Sequence, residues 1–370
     1  MNSFIRFIHN YPFIVVLVSF TIGYLFMPVV HKIAQKYNFV VSPNKRSSHE
    51  GAVPNVGGIN IFISFFITGF LLSFDFFSSA QFLLMGLIVI LIVGFIDDLI
   101  AISVSKKLVG QFISAFFLII VADIRLTHLH GFLGINEIPM WFSYLLSLFV
   151  FVAIINAINL IDGIDGLASG LGALYSLFFA VYFWLTGHIR LSIVAFAMLG
   201  SLAVFFMYNV FSKKMKIFMG DSGSLLLGYF IVVFVFLFNE MNINGDIPEL
   251  YSMKAAPAVL FTLLIVPLFD TMRVMLTRIK KGNSPFKADR NHLHHLLLSL
   301  GYKHREVSFL LIGSSFFFLI FALLLRNWSN EALAGLTTIF CILLTKCVWV
   351  QVDKSHARKE KSVTKKGSQP

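Results

Sequence analysis

The sequence predicts an all-α integral membrane protein, a bundle of about eleven transmembrane helices with its N-terminus periplasmic and its C-terminus cytoplasmic. Three observations predict it. Hydrophobic residues make up 58% of 370 residues and charged residues 13%, with a mean hydropathy of +0.85, which excludes an ordinary soluble globular domain. Apolar runs close to the ~20 residues needed to cross a ~30 Å hydrocarbon core recur along the chain. Lys and Arg alternate between the gaps that separate those runs, which orients a chain by the positive-inside rule.

The runs fall at about 11–30, 58–74, 81–96, 108–122, 140–158, 171–186, 191–211, 222–238, 256–272, 308–325 and 331–350. The first is read as a membrane helix and not a cleaved signal, because a single Arg precedes it and no small-x-small site follows before Pro28. Of the 29 Lys and Arg, 23 fall in gaps on one side, 5 on the other, and Lys346 lies inside the last run. The residues form one membrane domain, 1–352, followed by a basic cytoplasmic tail, 353–370, read as lacking fixed structure. The formal charge of +11 is spread over loops with no compact basic domain, so it marks topology and anionic lipid or phosphate contacts and not nucleic acid. Cys341 and Cys347 are six residues apart, and at ~100° per residue they face different ways.

The chemistry-bearing residues lie in gaps on the basic side. An Asp at mid-span is disfavoured by ~2.5 to 3.5 kcal/mol, so the aspartates belong in wet positions. Asp97 and Asp98 close the third run; they are read either as an ordinary interfacial pair or, with Lys107, as opposite charges around a phosphate or metal. The string Asn156-Ala-Ile-Asn159-Leu-Ile-Asp162-Gly-Ile-Asp165-Gly166 exceeds what helix capping needs, since a cap explains one Asp and not two carboxylates with two amides. Acid and amide oxygens together suit hydrogen bonding to a base and ligation of a hard cation. In Phe218-Met-Gly-Asp221-Ser-Gly-Ser224, Asp221 opens the eighth run, a helix N-terminus that can cap itself or draw in a phosphate and its metal ion. The large loop from about Arg273 to Val307 carries Asp289-Arg290-Asn-His292-Leu-His294-His295. No fourth zinc ligand accompanies these histidines, and the adjacent cations favour phosphate and sugar oxygens as their partners.

These strings, with Pro43-Asn44-x-Arg46-x-x-His49 and Pro54-x-x-Gly57-Gly58, resemble the polyprenyl-phosphate N-acetylhexosamine-1-phosphate transferases, glycosyltransferase family 4, in their WecA/TagO type. The match runs in order over nearly the whole chain. The resemblance implies transfer of N-acetylhexosamine 1-phosphate, GlcNAc-1-phosphate first, from a UDP-sugar to undecaprenyl phosphate, with release of UMP at the cytoplasmic face of the inner membrane. It implies Mg2+, or Mn2+ in its place, held by Asp221 and Asn159, and uracil recognised by Asp165 and Phe218. Lys107, Arg290, His292, His294 and His295 would contact phosphates and sugar, Asp162 would line the donor site, and Asp97 and Asp98 would face the lipid phosphate. Two departures stand out: Ala101 replaces the third carboxylate of an Asp-Asp-x-x-Asp pattern, and Val41-Ser42 replaces an acidic residue before Pro43. The alternatives are a phospho-MurNAc-pentapeptide transferase, or a transporter or flippase of a phosphorylated or lipid-linked solute. Association into a homodimer through membrane faces is compatible with this composition.

Overall fold

The structure is a computed structural model that describes residues 7–8, 10–41, 53–74, 80–243, 247–284 and 291–367, with side chains described as far as Ser355. Its helices are α1 (Phe13–Lys36), α2 (Gly57–Leu72), α3 (Gln81–Ile100), α4 (Val104–Ala115), α5 (Met140–Ile161), α6 (Leu167–Leu185), α7 (Ile189–Phe206) and α8 (Gly220–Met241), then α9 (Ala256–Leu263), α10 (Ile265–Lys280), α11 (Leu293–Ser299), α12 (His304–Leu324) and α13 (Asn330–Gly367). Short π-helical turns extend α4 to Val121 and α7 to Phe211. Two small antiparallel pairs join them: β1 (Val40–Val41) with β2 (Val53–Pro54), and β3 (His128–Phe132) with β4 (Ile135–Glu137).

All eleven apolar runs of the sequence are helical. Among the described residues nine helices are long and apolar enough to span, and α9 with α10 is apolar enough together but bent by 75°, the geometry of a broken span or a re-entrant loop. The eleventh, α2, is shorter, at 16 residues. The bend has a local cause: Pro267 lacks an N–H, and its ring collides with the carbonyl four residues earlier, at Leu263, where α9 ends. The last helix continues to Gly367 through a tail expected to lack structure; Ala, Lys, Arg and Glu there are good helix formers, so the apolar span propagates into it.

The centre of the bundle is α8, 89% of whose most apolar window is buried, against 28% for α1 and 22% for the last span. It packs against α3, α5, α2 and α6. Lipid tails are as apolar as leucine, so helices associate through close packing and polar contacts and not through hydrophobic exclusion. Such contacts are present between helices: Ser19 donates to the Ala197 carbonyl at 2.6 Å, Asn60 to Gly23 at 3.0 Å, Ser114 to Gly86 at 2.7 Å and the Tyr229 hydroxyl to Leu83 at 2.7 Å. At one end of the bundle α3 and α5 finish and α4, α8 and α12 begin close together. At the other end Glu240 of α8 accepts from Thr127 N at 2.9 Å and Thr127 Oγ1 at 2.5 Å, fastening the β3–β4 hairpin region over α8.

Candidate active site

The carboxylates converge at the N-terminus of α8. Asp221 Oδ1 accepts from Lys107 Nζ at 3.1 Å, and Asn159 Nδ2 donates to the same oxygen. Lys107 Nζ also lies 2.6 Å from Asp97 Oδ2, so one ammonium bridges two carboxylates. Asp97 Oδ1 accepts from the Ile102 amide at 2.7 Å, which fixes its rotamer at the end of α3. Ala101, in the third-carboxylate position, is the residue that terminates α3, with φ +49°.

Asp98 is engaged differently. Its Oδ1 accepts from Asp221 N at 2.7 Å and Asn55 Nδ2 at 3.0 Å, and its Oδ2 from Ser222 N at 3.0 Å. A carboxylate from α3 thus satisfies two of the amides that the first turn of α8 leaves without intrahelical partners. This takes the place that the sequence reading left for a substrate phosphate at that helix end. The preceding turn must be glycine: Gly220 has φ +72°, and a Cβ there would lie 2.6 Å from Asp98 Oδ2. The chain before it pairs with the β2 strand, Phe218 N donating to Pro54 O at 2.8 Å, while Gly57 N and Gly58 N donate to Phe218 O and Met219 O at 2.9 Å each. That contact explains why the Pro54-x-x-Gly57-Gly58 and Phe218-Met-Gly-Asp221 strings occur together.

A cavity of about 530 Å³ opens beside Asp221, lined by Lys107, Asn159, Asp162, Asp165, Phe218 and Asp221 among others. At its far end Asp165 Oδ2 pairs with Lys216 Nζ at 2.6 Å, and Lys216 Nζ lies 5.7 Å from the centre of the Phe218 ring. Asp162 lies in the loop between α5 and α6, partly open to the cavity; burial first, then the charges of Asp221, Asp98 and Asp165, holds its carboxyl well above the usual carboxylate range. Crowded carboxylates of this kind call for a compensating cation.

The histidines lie at the start of α11, against α10. His292 Nδ1 lies 2.9 Å from Asp270 Oδ2, while Asp270 Oδ1 accepts from Arg273 at 2.7 Å and from Leu293 N at 2.9 Å. The His292 and His294 rings stack with centroids 5.8 Å apart, and those of His294 and His295 are 4.3 Å apart. A Cβ on Gly163 would meet His294 Nε2 at 2.5 Å, so His294 abuts the Asp162–Asp165 loop. Burial and the neighbouring imidazoles lower its pKa to about 3, so its ring is neutral at physiological pH. None of the three histidines is among the residues lining the cavity; they stand behind its floor. Arg290 and the Pro43–His49 string lie outside the described residues.

Residues without a motif complete the site. Asn55, Asn209 and His304 line the cavity, and Asp270 orients His292. A signal existed for Asp270 alone, as a carboxylate inside the apolar run 256–272 with Arg273 three residues on.

The donor set suits a hard dication. Asp221, Asn159, Asp162 and Ser224 offer oxygen, with no thiolate in the cavity wall. Among the described residues no group of three or more His, Cys, Asp or Glu forms a metal cage, and the oxygens of the cavity wall suit a Mg2+ site whose shell is shared with a substrate diphosphate. Asn159 presents its Nδ2 to Asp221 here; ligation would require its amide to turn the oxygen forward.

A helical membrane bundle with carboxylates, amides and a lysine around one cavity is the setting in which the comparisons with membrane-embedded sugar-phosphate transferases fall. The profile of glycosyl transferase family 4 matches residues 80–239. The undecaprenyl-phosphate alpha-N-acetylglucosaminyl 1-phosphate transferase of Escherichia coli (strain K12) is 32% identical over 291 residues, covering 78% of this chain and 76% of the relative. Its counterpart in Salmonella typhi is 33% identical over 292 residues, with the same coverage. A probable undecaprenyl-phosphate N-acetylglucosaminyl 1-phosphate transferase of Bacillus subtilis (strain 168) is 29% identical over 353 residues, 94% of each chain. The chain belongs to glycosyl transferase family 4.

Proposed function

We propose that the protein transfers N-acetylhexosamine 1-phosphate, with GlcNAc-1-phosphate as the first choice, from a UDP-sugar to undecaprenyl phosphate, yielding UMP and the lipid pyrophosphoryl sugar that starts a cell-surface glycan. The names of the relatives support the acceptor and the sugar. The observation that carries the reading is the Lys107–Asp221–Asn159 arrangement on the wall of a cavity of about 530 Å³, a size suited to a small-molecule substrate.

In this reaction an oxygen of the lipid phosphate bonds to the sugar-bearing phosphorus as the bond to the UMP oxygen breaks. The obstacle is anion meeting anion: each pair of unit charges at 4 Å repels by ~4 kcal/mol at an effective dielectric of ~20. Lys107, already placed between Asp97 and Asp221, would neutralise the transferred phosphoryl group. Mg2+, or Mn2+, held by Asp221 and a turned Asn159, would supply Lewis-acid stabilisation of the diphosphate. A phosphate monoester with a second pKa near ~6 is already mostly dianionic at pH 7, so a base gains little. Asp98, with both carboxylate oxygens accepting hydrogen bonds, is therefore assigned to positioning Asp221. Asp165, Lys216 and Phe218 would hold the uracil and Arg290 the sugar side, with His292, His294 and His295 bracing the Asp162–Asp165 loop from behind. The asymmetry of basic residues supports placing this end of the bundle on the cytoplasmic face of the inner membrane.

Release of UMP by purified protein in detergent, given undecaprenyl phosphate, Mg2+ and a panel of UDP-N-acetylhexosamines, tests the reading. Release should need lipid and metal, stop with a chelator, and vanish in Asp221→Asn. UDP-MurNAc-pentapeptide as the sole accepted donor would move the protein to the pentapeptide branch. A folded protein that releases no UMP from any donor would sink the transferase reading and favour a transporter.

A further inference from the structure

We infer that the part-buried amide pair Gln111–Asn156 is a positioning clasp that sets the separation of Lys107 and Asn159 around Asp221; this rests on those three residues being reaction machinery. Asn156 Nδ2 donates to Gln111 Oε1 at 2.8 Å, and Gln111 Nε2 donates to Asn156 Oδ1 at 3.3 Å. Each amide gives and receives. The second Asn156 hydrogen goes to the Val152 carbonyl, one turn back on its own helix, at 2.8 Å, which holds the asparagine in one rotamer. Gln111 is fully buried.

The pair joins α4 to α5 about one turn from the cavity. Lys107 lies four residues before Gln111 on α4, and Asn159 three residues after Asn156 on α5, so each shares a helix face with its half of the clasp. From those positions both donate to a single atom, Asp221 Oδ1. Sliding either helix by one residue moves it ~1.5 Å and turns it ~100°, which no head-to-head amide pair survives. The reciprocal geometry therefore fixes both the register and the spacing of the two groups that grip the carboxylate.

A clasp that served only stability would be replaceable, because exchanging both hydrogen-bonding partners for apolar groups of similar shape is nearly neutral or stabilising. The decisive variant is thus the double apolar pair Gln111→Met/Asn156→Leu, assayed in detergent for UMP release and, independently of activity, for thermal unfolding and monodispersity. Expected are a melting temperature near wild type and a kcat lower by about 10- to 100-fold, the penalty typical of small misplacements. The length-exchanged pair Gln111→Asn/Asn156→Gln should recover most of the rate that either single substitution loses. Adding the apolar pair to Lys107→Ala should lower the residual rate far less than it lowers wild type, because the clasp acts through Lys107. A wild-type kcat in the apolar pair, an exchanged pair no faster than the singles, or losses that simply multiply in the Lys107→Ala background would each overturn the inference. Wild-type turnover in the same preparation tests the transferase reading separately, and its absence would overturn both.

Discussion

At the residue scale the two adjacent aspartates of α3 part company. Asp97 faces Lys107, whereas Asp98 turns to the first amides of α8 and to Asn55. Asp98→Asn keeps the shape but places an NH2 group against backbone donors, and hydrogen bonds to a charged acceptor are worth roughly 1.5–3 kcal/mol each. The variant should turn over at least about tenfold more slowly with UDP-sugar affinity, read by calorimetry, little changed. Loss of donor binding with an unchanged rate of the bound complex would contradict the positioning role. His294 yields a pH prediction. Its ring, with a pKa near 3, stays neutral in the folded protein, while the unfolded chain binds a proton below about pH 6.5. Above that pH it contributes nothing to the pH dependence; as pH falls from 6.5 toward 3, stability declines by at most ~1.4 kcal/mol per unit. Thermal unfolding in detergent should show wild type losing stability between pH 6.5 and 5 more steeply than His294→Gln. Parallel curves would mean that the histidine is protonated in the fold.

At the element scale the site depends on how closely α3 lies against the start of α8. A Cβ on Gly94 would fall 2.6 Å from Ser222 Cα and 2.7 Å from Asp221 O, both backbone atoms. Helix propensity alone favours Gly94→Ala by ~1 kcal/mol. The contact predicts the opposite sign, with a lower melting temperature and slower turnover, because α8 is pushed away from α3 while Asp98 still holds its amides. A stabilised, fully active Gly94→Ala would refute it. The helices themselves were legible because spans of ~20 apolar residues leave few alternatives in a bilayer. Asp221, Asn159, Asp165 and Phe218 were legible because they sit in dense polar strings. Gln111, Asn55 and His304 were not: each is one polar side chain whose meaning comes from a neighbour distant in sequence. The break between α9 and α10 carried a signal in Pro267, hidden by the continuous apolarity of the run.

At the scale of the whole molecule, a single asymmetry organises the structure. On the proposed topology, with the basic ends of the spans and the cavity on the cytoplasmic side, a reporter fused after the last span should be active only in the cytoplasm, and a cysteine placed in the β3–β4 turn should react with membrane-impermeant reagent from outside. The reverse labelling would invert the topology and remove the reading of where the donor enters. Thr127 and Glu240 fasten the end opposite the cavity, and between the two ends the most buried helix, α8, is packed with phenylalanine and leucine. Among the described residues the polar cavity has its door at one end of the bundle, and apolar packing fills the helix behind it. On the proposed function, reactants would arrive and products depart across the same surface, and the lipid-borne sugar would be left on the side where it was made, so any journey to the opposite leaflet would be the work of a different machine.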